Sequence, residues 1–212
     1  HALRADGDTL ASAPIAILAA GTAVRDFAQA RGLPVVSARG QVSLLAAEDG
    51  SAPQVVVCRG GYVSPAVDGL RCAGATFSVD DDEQSLRSED HAENLAKLEA
   101  MLPGYVGGLD SARLGGRVGF RPAPPDRLPM VGALPEAVPA SPATPLQAIA
   151  RIPGLHAVSG FGARGLVWSA LAAELLASQL EGDPLPLSRD LVDAVDPARF
   201  IVRPPATRSI AE

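Results

Sequence analysis

The sequence predicts an α+β fold in which an antiparallel sheet is accompanied by helices. Extended segments separated by turn signals follow one another between residues 35 and 79, and the Asp68-Gly69 pair is typical of a two-residue hairpin turn. Leucines at helical spacing mark residues 88–102, and a long apolar segment at residues 166–180 follows a glycine-rich loop. These three observations favour a sheet domain with two main helices.

The composition is typical of a packed protein, with 212 residues, 47% hydrophobic residues and a formal net charge of −6. No apolar run approaches the roughly 20 residues of a membrane helix, and neither cysteine lies in a metal-ligand spacing. We therefore expect a soluble, cytoplasmic protein with no membrane segment and no metal. The acidity excludes a dedicated basic clamp for nucleic acid, whereas arginine, which carries nearly all the positive charge, suits recognition of a carboxylate.

The first half of the chain is predicted to be mainly extended. A polar hairpin arm at residues 3–10 precedes an unbroken apolar run at residues 14–21, typical of a strand buried on both faces, with neighbours later in the chain or outside it. After a short helix at residues 25–31, the strands of the antiparallel sheet are predicted at residues 35–45, 54–63 and 70–79. The hairpin would place Cys72 opposite Pro65, so we expect no disulfide with Cys58.

The second half is predicted to alternate between helices, strands and proline-rich loops. Ser88 is the expected N-cap of the helix at 88–102, and Pro103-Gly104 is its expected end. The remaining predicted elements are a strand at 116–121, a proline-rich loop at 122–129, a surface loop at 135–145, a buried strand at 155–159, a helix at 166–180 stopped at Gly182, and a proline-punctuated tail.

The glycine loop from Gly160 to Gly165 matches GxGxxG between a predicted strand and a predicted helix. A dinucleotide fingerprint also needs a second parallel strand ending in an acid, and prolines interrupt the segment that follows this helix. A conventional adenine-dinucleotide site is therefore not expected here. Two interpretations stay open: a helix N-terminus that receives a flat or anionic group, or tight helix–strand packing without a ligand.

Two arginines next to turns are candidate binding residues. Arg121 ends an apolar strand before Pro122, and Arg164 lies inside the glycine loop. If both side chains enter one cleft they form a carboxylate site, and otherwise each is an ordinary paired or solvated surface arginine. Of the histidines, His91 is expected on a solvated helix face and His156 as a satisfied core residue, so no Ser-His-Asp or metal cluster is expected.

The segment Arg39-Gly40-Gln41 interrupts its strand with a glycine, which marks either the approach of a ligand or a bulge. Tyr62 follows two glycines and either lines a pocket or packs against a neighbour.

Taken in order, these motifs resemble the later part of the D-amino-acid-oxidase-type FAD-dependent oxidoreductases. Within that family they are most similar to the oxidoreductase domain of the bifunctional enzymes of tRNA 5-methylaminomethyl-2-thiouridine biosynthesis, the MnmC type. The segments that carry the resemblance are 15–21, 38–43, 61–65, 119–122, 126–132, 160–165 and the closing Asp196-Pro197-Ala198-Arg199-Phe200.

The resemblance implies a reaction in which FAD takes a hydride from the carbon next to an amine nitrogen and water hydrolyses the imine. In the tRNA enzymes, this step converts 5-carboxymethylaminomethyl-(2-thio)uridine to the 5-aminomethyl nucleoside. It further implies that tRNA is the partner and that a methyltransferase domain is fused upstream.

The resemblance also assigns roles to residues. Arg121 would hold the substrate carboxylate beside Tyr62, and Arg164 would be a second catalytic arginine in the cleft. Backbone N–H groups of the glycine loop would face the flavin pyrimidine carbonyl. The implied cofactor-binding residues are Gly21, Arg39, Gly40, Gln41, Gly162, Ala163, Arg164, Gly165 and Leu166.

The resemblance divides the chain into a remnant of a FAD-binding domain at residues 1–32, a substrate-binding antiparallel sheet domain at 33–150, and the C-terminal part of the FAD-binding domain at 151–212. The family's N-terminal strand, glycine loop and acid, which hold the ADP half of FAD, are not in the sequence, so we expect a fragment that binds FAD poorly and is inactive alone. Two alternatives stay open: a glycine- or D-amino-acid-oxidase-like enzyme, and a non-catalytic module with an oxidase scaffold.

Overall fold

The structure is a computed structural model, and it describes the backbone of residues 2–3 and all of residues 7–47, 53–136 and 144–202. Most of the loop predicted at 135–145 lies outside these ranges. The strands in the described ranges, in chain order, are β1 (Ala2–Leu3), β2 (Thr9–Ala11), β3 (Ala16–Leu18), β4 (Val36–Ala46), β5 (Val57–Cys58), β6 (Tyr62–Val63), β7 (Leu70–Gly74), β8 (Ser78–Val79), β9 (Gly115–Ala123), β10 (Met130–Pro135) and β11 (Arg151–Ser159). The α-helices are α1 (Ser88–Met101), α2 (Gly165–Glu181), α3 (Arg189–Val195) and α4 (Arg199–Val202). The α+β class predicted from sequence is confirmed.

The chain forms two compact units. The first comprises His1–Val36 and Arg121–Ile210, and the second comprises Ser37–Phe120. The structure thus groups residues 121–150 with the segments on either side of the second unit, whereas the sequence places them in the sheet domain. The predicted division into FAD-binding and substrate-binding domains concerns ligands and stays a prediction.

The first unit contains a three-stranded sheet in the order β10-β11-β3. Strand β11 pairs antiparallel with β10 and parallel with β3, where Leu155 lies opposite Ala16 and Ala157 opposite Leu18. Helix α2 contributes Leu175 and Leu176 to an apolar core with Val131 of β10. The predicted hairpin arm is also present, as the antiparallel pair β1 and β2.

Several predictions for the first unit need correction. The strand at residues 14–21 is only three residues long, and Ile17 at its centre is exposed rather than buried. The predicted helix at 25–31 consists of two 3-10 turns, Gly21–Asp26 and Ala28–Ala30. Strand β10 was not predicted, and the tail contains α3 and α4. These elements depend on pairing and packing with distant segments, which local patterns do not reveal.

The second unit is an antiparallel sheet in the order β5-β6-β7-β4-β8, with β9 also paired to β4. The predicted strand at 54–63 is two short strands separated by a turn, and the one at 70–79 is interrupted after Gly74. Asp68 and Gly69 form the expected turn, both with positive φ. An irregularity beyond that turn shifts the pairing by one residue, so that the Ser64 N–H donates to the Cys72 carbonyl (3.0 Å) and Cys72 does not face Pro65. Cys58 and Cys72 are both free thiols.

Helix α1 covers the predicted range almost to the residue. Glu89 and Asp90 occupy its first turn, where carboxylates stabilise the positive end of the helix dipole. Leu95 and Leu98 pack against Leu45, Val63 and Ala73 of the sheet. Contrary to the sequence prediction, the N-cap residue is Arg87, and no side chain among the described residues caps the helix. In the described part of the chain, no helix is long and apolar enough to cross a membrane.

Candidate active site

The candidate site of the first unit lies where two parallel strands end. Strands β3 and β11 run side by side, so their carboxyl ends lie at the same edge of the sheet. Gly21 follows β3, and Gly160 follows β11. The Ser159 hydroxyl donates to the Gly21 carbonyl oxygen (3.1 Å), which fixes the two loops to each other. Ligands of α/β sheets bind at this kind of edge, beyond the carboxyl ends of parallel strands.

The glycine loop leads directly into helix α2. A 3-10 turn at Gly162–Arg164 precedes the helix, and no side chain in the described ranges caps its N-terminus. The first turn points two apolar residues into solvent, with Leu166 97% and Val167 79% exposed. Within the described residues, the positive end of this 17-residue helix therefore has backbone N–H groups without a side-chain cap, beside an accessible apolar surface.

Gly21 and Gly162 both adopt positive φ, +59° and +55°, a region that favours glycine. Among the described residues, no heavy atom lies within 4 Å of the position where either would carry a β-carbon. A planar group can thus approach the backbone closely at both loops. This open, glycine-lined edge favours the ligand interpretation of the glycine loop over tight packing for Gly162, although Gly160 is packed.

The proline-rich loop lies against the glycine loop. A β-carbon at Gly160 would lie 3.2 Å from both Pro124 Cγ and Met130 Cε, so glycine is needed there for close approach. The exposed Arg164 guanidinium donates from Nη2 to the Arg127 carbonyl oxygen (2.7 Å). Arg121 lies on β9, half-buried, and precedes this loop. The structure therefore brings the loop that follows Arg121 against the glycine loop, where Arg164 contacts the Arg127 backbone. A cleft shared by the Arg121 and Arg164 side chains stays a prediction.

An apolar cavity of about 340 Å³ lies beside α2. Ile17, Val158, Phe161, Leu176 and Leu180 are among its lining residues, together with alanines and Ser169. It offers a hydrocarbon surface and no charged group. Within the described ranges, no three His, Cys, Asp or Glu side chains are grouped as metal ligands would be.

In the second unit, the Arg39 side chain is fully buried and bound within the protein. It forms an ion pair with Asp90, and its Nε and Nη2 donate to the carbonyl oxygens of Glu83 (2.7 Å) and Ser85 (2.8 Å). The Gln41 side chain is equally engaged, since Nε2 donates to the Arg87 carbonyl (2.8 Å) and Oε1 accepts the Arg87 N–H (2.9 Å). These side chains fix the segment before α1, and the predicted cofactor contacts of 39–41 stay predictions.

His91 contradicts the sequence prediction, because it is buried (3% exposed) rather than solvated. Its Nδ1 lies 2.7 Å from the Ser43 hydroxyl, and burial lowers the pKa of its imidazole below the ordinary value of 6.5. His156 is half-buried, and its Nδ1 has no hydrogen-bond partner among the described residues. Tyr62 is half-buried, with its hydroxyl 3.7 Å from Cys72 Sγ.

Comparison with known protein families shows which family this chain belongs to. The FAD dependent oxidoreductase (DAO) family profile matches residues 2–179, most of the chain. The chain belongs to this family.

Two curated relatives of this DAO-family chain carry the name tRNA 5-methylaminomethyl-2-thiouridine biosynthesis bifunctional protein MnmC. The one from Azoarcus sp. (strain BH72) is 67% identical over 203 residues, and the one from Aromatoleum aromaticum is 64% identical over 203 residues. Each alignment covers 96% of this chain and 32% of the relative. The DAO-family chain thus spans about a third of the length of these relatives.

A solved structure of the same fold is iminodiacetate oxidase (IdaA) from Chelativorans sp. BNC1. It superposes with a TM-score of 0.67 at 27% identity, covering 92% of this DAO-family chain and 48% of the oxidase.

Proposed function

We propose that this chain forms part of an FAD-dependent amine oxidoreductase that acts on 5-carboxymethylaminomethyl-(2-thio)uridine in tRNA. The observation that carries the proposal is 67% identity, over 96% of the chain, to a protein named for this tRNA modification. The proposed partner is tRNA, and a methyltransferase activity in the same polypeptide is the proposed second half of the relatives' bifunctionality.

The residues at the carboxyl edge of β3 and β11 fit the flavin ring end of FAD. Gly21 and Gly162 leave open space above the backbone, and the N-terminus of α2 has no side-chain cap. Backbone N–H groups of the segment from Gly162 to Leu166 would hold the pyrimidine carbonyl, where the helix dipole stabilises negative charge. The Arg164 N–H is not one of these donors, because it donates to the Phe161 carbonyl (3.0 Å). We expect Ala163 and Gly165 to contribute donors of this kind, and Arg164 to keep the loop against the Arg127 carbonyl.

When bound, FAD supplies the acceptor for the hydride that leaves the carbon between the amine nitrogen and the carboxylate. Arg121 would bind that carboxylate through paired N–H donors, which orients the reacting CH₂ group. The apolar side chains of Leu166 and Val167 would exclude water from the face where the hydride leaves. Water then hydrolyses the imine carbon–nitrogen bond, which releases the aminomethyl nucleoside and glyoxylate.

Similarity to iminodiacetate oxidase favours a second candidate, oxidation of a small N-carboxymethyl amine. Iminodiacetate and the carboxymethylaminomethyl group share a secondary amine that bears a CH₂–carboxylate, so Arg121 would have the same role with either substrate. The two candidates differ in the size of the group on the other side of the nitrogen.

The test uses the complete polypeptide encoded by the gene that contains this chain. Purified enzyme is given tRNA bearing 5-carboxymethylaminomethyl-2-thiouridine, iminodiacetate or glycine, and products are measured by nucleoside mass spectrometry and by glyoxylate formation. We expect turnover of the tRNA at a kcat/KM well above that of either small amine. Efficient oxidation of a small amine with no change in the tRNA would establish the second candidate instead.

Arg121→Ala tests the proposed carboxylate site. Because hydrogen bonds to a charged group contribute about 1.5–3 kcal/mol, we expect kcat/KM to fall about tenfold to a hundredfold, mainly through KM. Arg121→Lys keeps the charge without the fork and should recover part of the loss. Unchanged kinetics in both variants would argue that Arg121 is structural, and an inactive wild-type enzyme would favour a non-catalytic scaffold.

A further inference from the structure

Arg199 is a buried charged residue that the proposed mechanism does not use. It lies on the short helix α4, and only 6% of its surface is exposed. Its Nε and Nη2 donate to the two carboxylate oxygens of Asp126 (2.8 and 3.0 Å), and Nη2 also donates to the Leu128 carbonyl oxygen (2.8 Å). A planar guanidinium bound in this way fixes the direction of its partner as well as its distance.

The other side of Arg199 is anchored to the sheet. Its Nη1 donates to the Asp196 carbonyl oxygen (3.1 Å), and the Asp196 carboxylate accepts from both Nη1 and Nη2 of Arg151 on β11 (2.7 and 2.9 Å). Asp196 also accepts the backbone N–H of Ala198 (2.7 Å), which fixes the approach to α4. Arg199 therefore connects the sheet to the proline-rich loop through charge-assisted hydrogen bonds.

The segment that Arg199 holds is a turn with an unfavourable residue at its tip. The Arg127 N–H donates to the Pro124 carbonyl (3.1 Å), and the Leu128 N–H donates to Asp126 Oδ1 (3.1 Å). Arg127 between them has φ +62°, a left-handed conformation that disfavours residues with a β-carbon. Such a conformation persists when surrounding contacts determine it, and the Asp126–Arg199 pair supplies two of them.

The tip of this turn contacts the glycine loop. The Arg127 carbonyl oxygen, whose direction follows from the left-handed conformation, accepts the hydrogen bond from Arg164 Nη2 (2.7 Å). Arg199 thereby acts on Arg164 through a continuous series of contacts: guanidinium to Asp126, Asp126 to the turn, and the turn carbonyl to the glycine loop.

The geometry points to Arg199 as a positioning residue for the glycine loop, acting through the Asp126–Leu128 turn and Arg164. Its importance for catalysis rests on the proposed function, in which the glycine loop holds the flavin ring. Its effect on the loop is a property of the first unit alone and can be measured without cofactor or substrate.

The test compares amide hydrogen exchange in the cofactor-free complete polypeptide. The variants are Arg199→Ala, Arg199→Lys and Asp126→Asn, and the matched control is Arg189→Ala, which removes an exposed arginine from α3. We expect exchange at Arg127, Leu128 and Arg164 to rise about tenfold in Arg199→Ala and Asp126→Asn, with a smaller rise in Arg199→Lys. Strand β11 and the control variant should change less than about threefold.

Two results would overturn the inference. Faster exchange confined to Arg127 and Leu128, with Arg164 unchanged, would show that the turn does not act on the glycine loop. An equal rise in amide exchange across β10 and β11 in both Arg199→Ala and Asp126→Asn would show that the Asp126–Arg199 ion pair stabilises the first unit as a whole and does not position the glycine loop.

A measurement of FAD affinity then connects the inference to the proposed function. In holoenzyme, Arg199→Ala should weaken FAD binding about tenfold, and Arg199→Lys should recover part of it. FAD affinity unchanged by Arg199→Ala would contradict the catalytic part of the inference. If wild-type enzyme oxidises no N-carboxymethyl amine, the proposed function fails while the exchange experiment still decides the role of Arg199.

Discussion

In the part of the chain that the structure describes, several arginines bind an aspartate, and Arg39, Arg151 and Arg199 combine this ion pair with hydrogen bonds to the backbone. Arg39 binds Asp90 in the second unit, whereas Arg151 binds Asp196 and Arg199 binds Asp126 in the first. Each guanidinium also donates to backbone carbonyl oxygens, which satisfies polar groups that burial would leave without water. At the residue scale, arginine here is as much a structural residue as a candidate ligand for carboxylates.

Replacing Arg39 by alanine should strongly destabilise the second unit. The Asp90 carboxylate would stay buried without its partner, and the carbonyls of Glu83 and Ser85 would lose their donors. We expect the free energy of unfolding to fall by about 3–5 kcal/mol in urea denaturation. Arg113→Ala, at an exposed position of the same unit, should change it by less than about 0.5 kcal/mol. Native stability combined with weakened FAD binding would instead support a direct cofactor contact by the Arg39 side chain.

Stability should depend on pH through His91. Because burial lowers its folded-state pKa, the unfolded chain binds more protons just below pH 6.5, so acidification through this range favours unfolding. Hydrogen bonds from Arg87 and Ser85 lower the carboxyl pKa values of Asp81 and Glu83, respectively. Protonation of these two carboxylates therefore lowers the stability only at more acidic pH, around and below their ordinary pKa values of 3.8 and 4.5.

Urea midpoints measured between pH 8 and pH 5 should therefore decrease below about pH 6.5 in the wild type. His91→Gln should remove most of this slope, whereas His156→Gln, in the other unit, should leave it in place. A wild-type midpoint that stays level across the range would contradict the effect of burial on His91.

At the element scale, the site depends on how closely two loops approach each other. Gly160 and Gly182 have nearly the same φ, +78° and +77°, but only Gly160 faces neighbours within 4 Å. Gly182 ends α2, where its N–H donates to the Ser178 carbonyl (3.0 Å). Substituting each glycine by alanine therefore separates two free-energy costs, that of a β-carbon at positive φ and that of a β-carbon pressed against neighbouring atoms.

Gly182→Ala should destabilise the first unit by about 1–2 kcal/mol, the cost of a left-handed residue with a β-carbon. Gly160→Ala should have the same conformational cost and, in addition, a contact cost of about 1–3 kcal/mol, because its β-carbon would press on Pro124 and Met130. Urea denaturation measures both, and hydrogen exchange at Arg164 should rise only in Gly160→Ala. Equal destabilisation by the two variants would mean that the glycine loop and the proline-rich loop can move apart with no measurable loss of free energy.

At the scale of the whole molecule, the flavin contacts proposed for the first unit would reach only the ring end of FAD. The sequence contains one GxGxxG segment, and α2 behind it is followed by α3 rather than by a second parallel strand with an acid. The pattern that holds the ADP half in the D-amino-acid-oxidase type is therefore not formed at this loop.

We expect the 212-residue chain to bind FAD with a dissociation constant weaker than about 0.1 mM, measured by quenching of flavin fluorescence. The complete polypeptide encoded by the gene serves as the comparison in the same titration. A yellow preparation of the 212-residue chain, with a protein-bound flavin spectrum, would contradict this expectation.

Local signals in the sequence predicted much of the fold. The Asp68-Gly69 turn, helix α1 with its buried Leu95 and Leu98, and the end of α2 at Gly182 each depend on residues close together in the chain. The motifs also predicted family membership, which the match over residues 2–179 confirms. Short-range backbone preferences and side-chain spacing suffice for such features.

Only the tertiary structure decided the features that depend on distant partners. The exposure of Ile17, the burial of His91 and the register of Cys72 follow from which strands and helices pack together. The contacts of Arg199 with Asp126 and of Arg164 with Arg127 join segments 73 and 37 residues apart. A sequence shows that these arginines lie beside turns, but the partner that a guanidinium binds is set by the packing that brings a distant carboxylate or carbonyl within hydrogen-bond distance.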